Sequence, residues 1–168
     1  MRVYLIGYMG CGKSSVAKKL AAKLGYKCID LDRYIEKHEG ESIPDIFAKV
    51  GEEGFRKIER RHLNRVSEID MTVIATGGGT PCFENNIELI NSSGISIYLK
   101  MNCIDLVNRL MDAKTERPLL KGKNKNELFD YITSQLEKRA VFYGQAKYTL
   151  AAKGIKINQL IEIIKNKN

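Results

Sequence analysis

Gly7-Tyr8-Met9-Gly10-Cys11-Gly12-Lys13-Ser14 fits the pattern glycine, any four residues, Gly-Lys-Ser/Thr without a mismatch. Glycines at these positions let the backbone turn its N–H groups toward a chain of phosphates. Lys13 can then place a positive charge on the β and γ phosphates, and the hydroxyl of Ser14 can bind Mg²⁺. The alternative is an ordinary glycine turn, but a chain of this length matches the pattern by chance only about one time in a hundred. The stretch therefore predicts a P-loop that binds a nucleotide.

The residues on either side of the loop support this interpretation. Val3 to Ile6 is a short apolar run typical of a buried strand. After the loop, apolar residues recur at helical spacing as far as the helix stop at Gly25, namely Val16, Ala17, Leu20, Ala21 and Leu24. A P-loop requires this order of strand, loop and helix, because the helix directs its N-terminal N–H groups at the bound anion.

Length, hydropathy and charge limit the class of protein. The 168 residues suit a single domain over 1–168, and the 43% hydrophobic content includes no apolar run long enough for a membrane span. Because the N-terminus enters a strand directly, we expect no signal peptide and a cytoplasmic protein. The formal charge of +8 suits either nucleic acid or an enzyme with two anionic ligands. Since no strand interleaves aromatic and basic residues, we favour the enzyme and expect no nucleic-acid partner.

The cysteines and histidines indicate no metal site. The four cysteines lack metal-ligand spacing, so we expect them to be reduced. Cys11 lies beside Lys13 at a helix N-terminus, where its thiol is expected to be sensitive to alkylation without being catalytic. We expect His38 and His62 to be exposed or held by packing partners, because neither has a second ligand at a recognised spacing.

Two acids follow the predicted short strand Lys27 to Ile29. Asp30 and Asp32 would leave an extended backbone on the same side. Because the carboxyl ends of parallel strands form the ligand edge of the sheet, both carboxylates should lie beside the P-loop. Asp30 is the candidate for the waters around Mg²⁺, since the later strand has no acid at its end. The alternative is that Asp32 only caps the following helix, which would explain one acid but not two.

Residues 33–66 have a helical pattern that is interrupted at Gly40, Pro44 and Gly51. In its last helix the predicted buried face is formed by Phe55, Ile58, His62 and Val66. The charged residues that would then lie on the surface are Arg56, Glu59, Arg60 and Arg61. Spacing alone does not single out Arg56 as a binding residue.

The third predicted strand, 72–75, runs into Gly77-Gly78-Gly79. These glycines can let backbone N–H groups approach a substrate, although a flexible turn is the alternative. The remaining pattern predicts helices at 84–91, 102–111, 128–143 and 157–164, and strands at 95–99 and 148–151. Five strands interleaved with helices predict an α/β fold. Residues 113–125 are basic, aperiodic and much longer than a median connection of about 4 to 6 residues, which predicts a lid.

Taken in order, these motifs resemble those of the shikimate kinase family, within the group of P-loop proteins similar to nucleoside monophosphate kinases. The resemblance spans nearly the whole chain and rests on the P-loop together with Asp30-Leu31-Asp32, Gly54-Phe55-Arg56-Lys57-Ile58-Glu59, Gly77-Gly78-Gly79-Thr80-Pro81, Arg117-Pro118-Leu119-Leu120, and Arg139 with Tyr143. It implies a three-layer P-loop fold with a five-stranded parallel sheet of order 2-3-1-4-5, helices on both faces, a substrate-binding helical insertion at 33–60 and a lid at 113–125. It also implies ATP and Mg²⁺ as cofactors, and transfer of the γ-phosphate to the 3-hydroxyl of shikimate in aromatic amino-acid biosynthesis. We further expect a monomer that binds a small molecule and no membrane.

The resemblance assigns roles to individual residues. Shikimate would be bound by Asp32, Arg56, Gly77, Gly78, Gly79 and Arg139, with both arginines on its carboxylate. The nucleotide would contact Gly10, Cys11, Gly12, Lys13, Ser14, Ser15, Arg109 and Arg117, with Arg109 stacked on adenine. The catalytic residues would be Lys13, Asp32 and Arg117. Ser14, and Asp30 through water, would hold Mg²⁺.

One feature departs from the family, and three other functions compete with the resemblance. The adenine loop of the family often contains a proline, whereas this chain has Ala151-Ala152-Lys153-Gly154. A GTPase switch is disfavoured because Glu127 stands where the guanine-reading motif needs Asp, and because no Asp-x-x-Gly occurs. A basic RNA-binding protein and a kinase for gluconate or a nucleoside monophosphate stay as alternatives.

Overall fold

The strand and helix that flank the glycine loop are β1 (Arg2–Ile6) and α1 (Lys13–Leu24). Gly7, Gly10 and Gly12 have φ angles of 144°, 83° and 100°, a region that residues with a side chain rarely adopt. At Gly7 a Cβ would also lie 2.8 Å from the carbonyl oxygen of Leu99. The loop conformation therefore depends on glycine, as the motif predicts.

The other elements alternate along the chain. The computed structural model describes residues 1–112 and 124–166. The further strands are β2 (Lys27–Asp30), β3 (Thr72–Ala75), β4 (Ile95–Lys100) and β5 (Tyr148–Ala151). The further helices are α2 (Leu31–Glu39), α3 (Ile43–Ser67), α4 (Asn86–Ser93), α5 (Cys103–Met111), α6 (Lys125–Tyr143) and α7 (Ile157–Lys165), with a 3₁₀ turn at Thr80–Cys82.

The five strands form one parallel sheet in the order β2-β3-β1-β4-β5, which confirms the predicted order. Asp30 pairs with Ala75, and Ala75 pairs with Leu5. The ends of β2, β3 and β1 consequently lie side by side. The P-loop, the Asp30 segment and the glycines after β3 all leave the sheet at this edge.

The core lies around the two central strands. Every residue of β3 is buried, as are Val3 to Ile6 of β1, so both faces of these strands are covered. Helix α1 packs on β1, β2 and β3 and contacts α7, while α4 contacts β4 and α3. In the edge strand β2, by contrast, Lys27 and Cys28 are exposed. A rigid, fully packed centre thus supports the loops at its carboxyl edge.

The helical insertion differs in detail from the prediction. Gly40 ends α2 as expected, but Pro44 does not interrupt a helix, because it lies in the first turn of α3 behind the Ser42 cap. Gly51 does interrupt α3, with φ 70° and ψ −177°. The predicted face of α3 is buried except for Ile58, which is half-buried.

Two predicted boundaries also move. The helix expected at 84–91 begins at Asn86 and ends at Ser93. Asn124, inside the predicted lid, is the N-cap of α6 and forms a capping box with Glu127, so the helix starts three residues earlier than its apolar pattern. Residues 113–123 of the predicted lid lie outside the described residues. Within the ranges 1–112 and 124–166, no helix is both long and apolar enough to cross a membrane.

Candidate functional site

A cavity of about 220 Å³ lies at the carboxyl edge of the sheet, between the P-loop and the loop after β3. It is lined by Met9, Gly10, Gly12, Lys13, Ser14, Ser15, Asp30, Asp32, Thr76 and Gly78. Five predicted nucleotide-binding residues and three predicted acceptor or metal residues therefore share one space. The prediction that the P-loop and the acids after β2 face each other is confirmed by this geometry.

Lys13 is buried, and its ammonium group lies against the P-loop itself. Its Nζ donates hydrogen bonds to the carbonyl oxygens of Gly7 at 2.8 Å and Tyr8 at 3.0 Å. Cys11 Sγ is 3.8 Å away from the same nitrogen. Because Cys11 is only 2% exposed, burial opposes the expectation that its thiol is readily alkylated.

Asp30 has two roles at the end of β2. Its Oδ2 accepts a hydrogen bond of 2.6 Å from the Ser14 hydroxyl, and its Oδ1 accepts one of 3.4 Å from the backbone N–H of Arg33. Asp30 is therefore the N-cap of α2, whereas the sequence offered Asp32 as the alternative cap. The predicted geometry was also wrong, since β2 ends at Asp30 and Asp32 already lies in the first turn of α2. Helix geometry, and not strand alternation, directs Asp32 into the cavity.

The carboxyl group of Asp32 lies among other acids. Burial, followed by the nearby charges of Asp30 and Glu59, raises the pKa of Asp32 to about 6, while the charge of Lys13 opposes this rise. A carboxylate with a pKa near 6 is largely ionised at pH 7 and can still accept a proton.

The three glycines after β3 bring the predicted acceptor residues together. A Cβ on Gly77 would lie 2.7 Å from Asp32 Oδ1, and one on Gly79 would lie 2.8 Å from Arg56 Nη2. A Cβ on Gly78 would lie 3.2 Å from the backbone nitrogen of Met9 and 3.5 Å from Arg139 Nη1. Their φ angles are not positive, so glycine here leaves room for these neighbouring groups and is not needed for the backbone conformation.

Arg56 is nearly buried and held on several sides. Its Nη1 donates to Glu59 Oε2 at 2.9 Å and its Nη2 to Glu52 Oε1 at 3.1 Å. The ring of Phe83 lies under the guanidinium group, 4.0 Å from its centroid to Cζ. The expectation that Arg56 and Glu59 lie on the surface is wrong, since the Arg56 side chain is 12% exposed and that of Glu59 is 2% exposed.

Glu59 is a site residue that the sequence argument missed. Besides Arg56, it binds the hydroxyl of Thr80, which donates to Glu59 Oε1 at 2.6 Å. The signal was available, because Glu59 is four residues after Phe55 and seven before Val66, on the same helical stripe. A charged residue on a buried stripe indicates a partner.

Arg139 reaches the same loop from α6. Its Nη2 donates to Gln135 Oε1 at 3.1 Å, while its buried Nη1 has no hydrogen-bond partner among residues 1–112 and 124–166. Tyr143, one turn later, donates a hydrogen bond of 2.6 Å to the carbonyl oxygen of Gly78. A buried guanidinium nitrogen without a partner is suited to an incoming carboxylate oxygen.

Of the remaining residues predicted to bind the nucleotide, two lie at the P-loop and its cavity and one lies outside the described residues. Arg109 lies over the P-loop, with Nη1 3.4 Å from the Gly10 carbonyl oxygen and 3.5 Å from that of Cys11. Ser15 lines the cavity. Arg117 lies outside the part of the chain that the structure describes.

The site suits a nucleotide with Mg²⁺ better than a metal bound by protein alone. The P-loop glycines, the Lys13 ammonium group and the Ser14 hydroxyl provide anion and metal contacts in one place. Among the described side chains, no group of three or more His, Cys, Asp and Glu residues could hold a metal ion. Mg²⁺ usually keeps waters and binds one or two protein oxygens plus phosphates, which fits Ser14 and Asp30.

Comparison with known proteins identifies the same family. The model of the shikimate kinase family matches residues 9–166. The chain is 48% identical to a shikimate kinase of Parabacteroides distasonis over 151 residues, 90% of this chain and 87% of that protein. The crystal structure of a shikimate kinase from Bacteroides thetaiotaomicron has a TM-score of 0.94 at 41% identity, with 98% of both chains covered. The Acinetobacter baumannii enzyme, solved in complex with shikimate, has a TM-score of 0.86 at 34% identity and covers 99% of this chain and 94% of that one. By sequence and by fold, the chain belongs to the shikimate kinase family.

Proposed function

We propose that the protein transfers the γ-phosphate of ATP, with Mg²⁺, to the 3-hydroxyl of shikimate, giving shikimate 3-phosphate. The observation that carries this proposal is the convergence of one carboxylate, Asp32, and two arginines, Arg56 and Arg139, on the glycines beside the P-loop. Shikimate is a ring carboxylate with neighbouring hydroxyl groups, so it needs both kinds of partner. The family relationship and a relative solved with shikimate support the same acceptor.

The nucleotide side of the cavity consists of P-loop residues and Arg109. Gly10, Gly12 and Ser15 surround the phosphates with backbone and hydroxyl donors, and Lys13 exchanges its carbonyl contacts for the β and γ phosphates. Arg109 already lies over Gly10 and Cys11, where its planar guanidinium group can stack on a base. Ser14, and Asp30 through water, would hold Mg²⁺, which would neutralise charge on the phosphates.

The acceptor side is built to hold a carboxylate at one end and a hydroxyl at the other. Arg139 offers its unpartnered Nη1, and Arg56 offers Nη2, whose present partner Glu52 is 61% exposed. A rigid fork of donors grips a carboxylate with defined orientation. Gly78 and Gly79 let the ring of the acceptor approach the backbone closely.

Asp32 is positioned to act on the attacking hydroxyl. It faces the cavity that also contains Lys13, and its pKa of about 6 leaves a carboxylate that can accept the hydroxyl proton during transfer. In-line attack then depends mainly on positioning and on positive charge around the phosphoryl group, which Lys13 supplies. The proposed setting is a monomeric enzyme of the cytoplasm.

We predict that Asp32→Asn lowers kcat by about 10²- to 10⁴-fold, the typical effect of losing a general base. The Kd values for MgADP and for shikimate should change by no more than about fivefold, since the amide keeps the size of the carboxyl group. Steady-state kinetics and titration calorimetry measure the two quantities. Asp130→Asn, an exposed carboxylate on α6, serves as the matched control. A kcat within tenfold of the parent would remove Asp32 from the reaction.

A further inference from the structure

Tyr8 is a P-loop position that the nucleotide motif leaves unspecified, yet in this structure it is buried, at 2% exposure. Its ring faces the guanidinium group of Arg139, with Cζ 5.1 Å from the ring centroid. This distance lies within the range of a cation–π contact. The side chain of Tyr8 thus touches the arginine proposed to hold the acceptor.

The backbone of the same residue touches the nucleotide side. The carbonyl oxygen of Tyr8 accepts a hydrogen bond from Lys13 Nζ at 3.0 Å, next to the one that Gly7 accepts. A phosphate that binds at the P-loop competes for this ammonium group, because Lys13 reaches the β and γ phosphates. Binding of a nucleotide therefore alters the hydrogen bonding of the peptide that carries the Tyr8 ring.

The Tyr8 ring is one of the groups that fix the Arg139 side chain, and the hydroxyl of Tyr143 also interacts with the guanidinium group. Gln135 accepts a hydrogen bond from Nη2, and Nη1 has no partner within the described ranges. A Cβ on Gly78 would lie 3.5 Å from Nη1. Gly78 itself lies against the backbone of Met9 in the P-loop, and its carbonyl oxygen accepts a hydrogen bond from the hydroxyl of Tyr143. The direction of Nη1 consequently depends on the Tyr8 ring together with Gln135, Tyr143 and the packing of Gly78.

We propose that Tyr8 is a positioning residue that couples the two halves of the site: its carbonyl responds to the nucleotide through Lys13, and its ring sets the orientation of Arg139 toward the acceptor carboxylate. The inference rests on the proposed function, since it takes Lys13 as the nucleotide lysine and Arg139 as an acceptor arginine. It follows that MgADP and shikimate tighten each other's binding by the same factor.

A purely structural role for Tyr8 predicts a different result. If the ring only fills space under the P-loop, its replacement changes stability and the affinity for nucleotide. The ratio of the shikimate Kd without and with MgADP would then stay as it is in the parent. This coupling ratio is therefore the quantity to measure.

The test compares the parent, Tyr8→Phe and Tyr8→Leu by calorimetric titration of shikimate with and without saturating MgADP. The parent should show a coupling ratio of at least about threefold. Tyr8→Phe should keep this ratio because the aromatic face remains, whereas Tyr8→Leu should bring the ratio close to one. A parent ratio of one, or a parent ratio retained in Tyr8→Leu, would overturn the proposal. Failure of the parent to bind shikimate at all would overturn the proposed function as well, so the two failures are distinguishable.

A second measurement needs no folded variant of Tyr8. The NMR signal of the Arg139 Nε–H group, assigned with Arg139→Lys, lies beside an aromatic ring and is sensitive to its position. Addition of MgADP alone to the unsubstituted protein should shift this signal. An unchanged signal at saturating MgADP would overturn the proposal regardless of how Tyr8→Leu behaves.

Discussion

Glu59 is a charged side chain held almost entirely inside the protein. It joins Arg56 of the same helix to Thr80 of the loop after β3. A buried carboxylate is stable only when its partners compensate for the lost hydration, and here both oxygens are hydrogen-bonded. We infer that Glu59, by holding Nη1, fixes the direction in which Arg56 presents Nη2 to the acceptor.

Glu59→Gln should therefore destabilise the fold by about 3 kcal/mol, because it leaves the buried guanidinium group with one ionic partner fewer. The KM for shikimate should rise about tenfold, while the KM for ATP stays near the parent value. Thermal unfolding and steady-state kinetics measure these effects.

Glu53→Gln on the same helix is the control, since the Glu53 and Lys57 side chains are 82% and 67% exposed and solvent screens their ion pair, which therefore contributes little to stability. Equal effects of the two substitutions would show that the buried pair has no special role in acceptor binding.

Sequence reasoning succeeded best for residues whose role is local. The P-loop glycines need positive φ angles, a property of the residue type, and all three have them. It failed where the role depends on the fold. Asp32 enters the cavity because α2 begins directly after Asp30, and Tyr8 gains its role only when α6 brings Arg139 over its ring. Neither contact is visible in local spacing.

The kink in α3 lies just before the segment that carries Arg56. At Gly51 the backbone has φ 70° and ψ −177°, a region that is essentially restricted to glycine. A Cβ added here would meet no atom within 4 Å, so any cost of a substitution is backbone strain and not a clash. Glu52 and Arg56 follow directly after this kink.

Gly51→Ala is expected to destabilise the protein by about 1–3 kcal/mol and to raise the KM for shikimate severalfold, because relief of the strain reorients the segment that carries Arg56. Gly25→Ala is a matched control. Gly25 also has a positive φ, 68°, and an added Cβ would meet no atom within 4 Å. It caps the end of α1 that is remote from the P-loop. Both variants should melt at lower temperature, and only Gly51→Ala should change the KM for shikimate. A normal KM in Gly51→Ala would mean that the kink does not position Arg56.

At the level of elements, the existence of all five strands was predicted from the sequence. The signal was clearest for the central strands β1 and β3, because buried parallel strands are continuous apolar runs, and weakest for the partly exposed edge strand β2. Their order came from the family resemblance and is confirmed. Boundaries set by capping were predicted less well. Asn124 caps α6 ahead of the first buried residue of that helix, and a polar cap does not appear in the spacing of the apolar residues.

At the scale of the whole molecule, the proposed function needs room for two anionic ligands at one edge of a parallel sheet. The net charge of +8 suits this proposal, since Lys13 lines the cavity and Arg56 and Arg139 lie against the glycines after β3. The sheet order brings the P-loop next to both the β2 and the β3 loops, because β1 lies beside β3 and β3 beside β2. Nucleotide and acceptor can thus meet without a second domain.

The most direct test of the account is ADP release from MgATP in a coupled assay with shikimate, gluconate or a nucleoside monophosphate as the acceptor. We predict turnover that depends on shikimate, with kcat/KM at least about 100-fold above that for the other two acceptors, a difference of about 3 kcal/mol in transition-state binding. Lys13→Ala should abolish this turnover, which assigns it to the P-loop of this chain. Turnover with gluconate or a nucleoside monophosphate but not with shikimate would contradict the account.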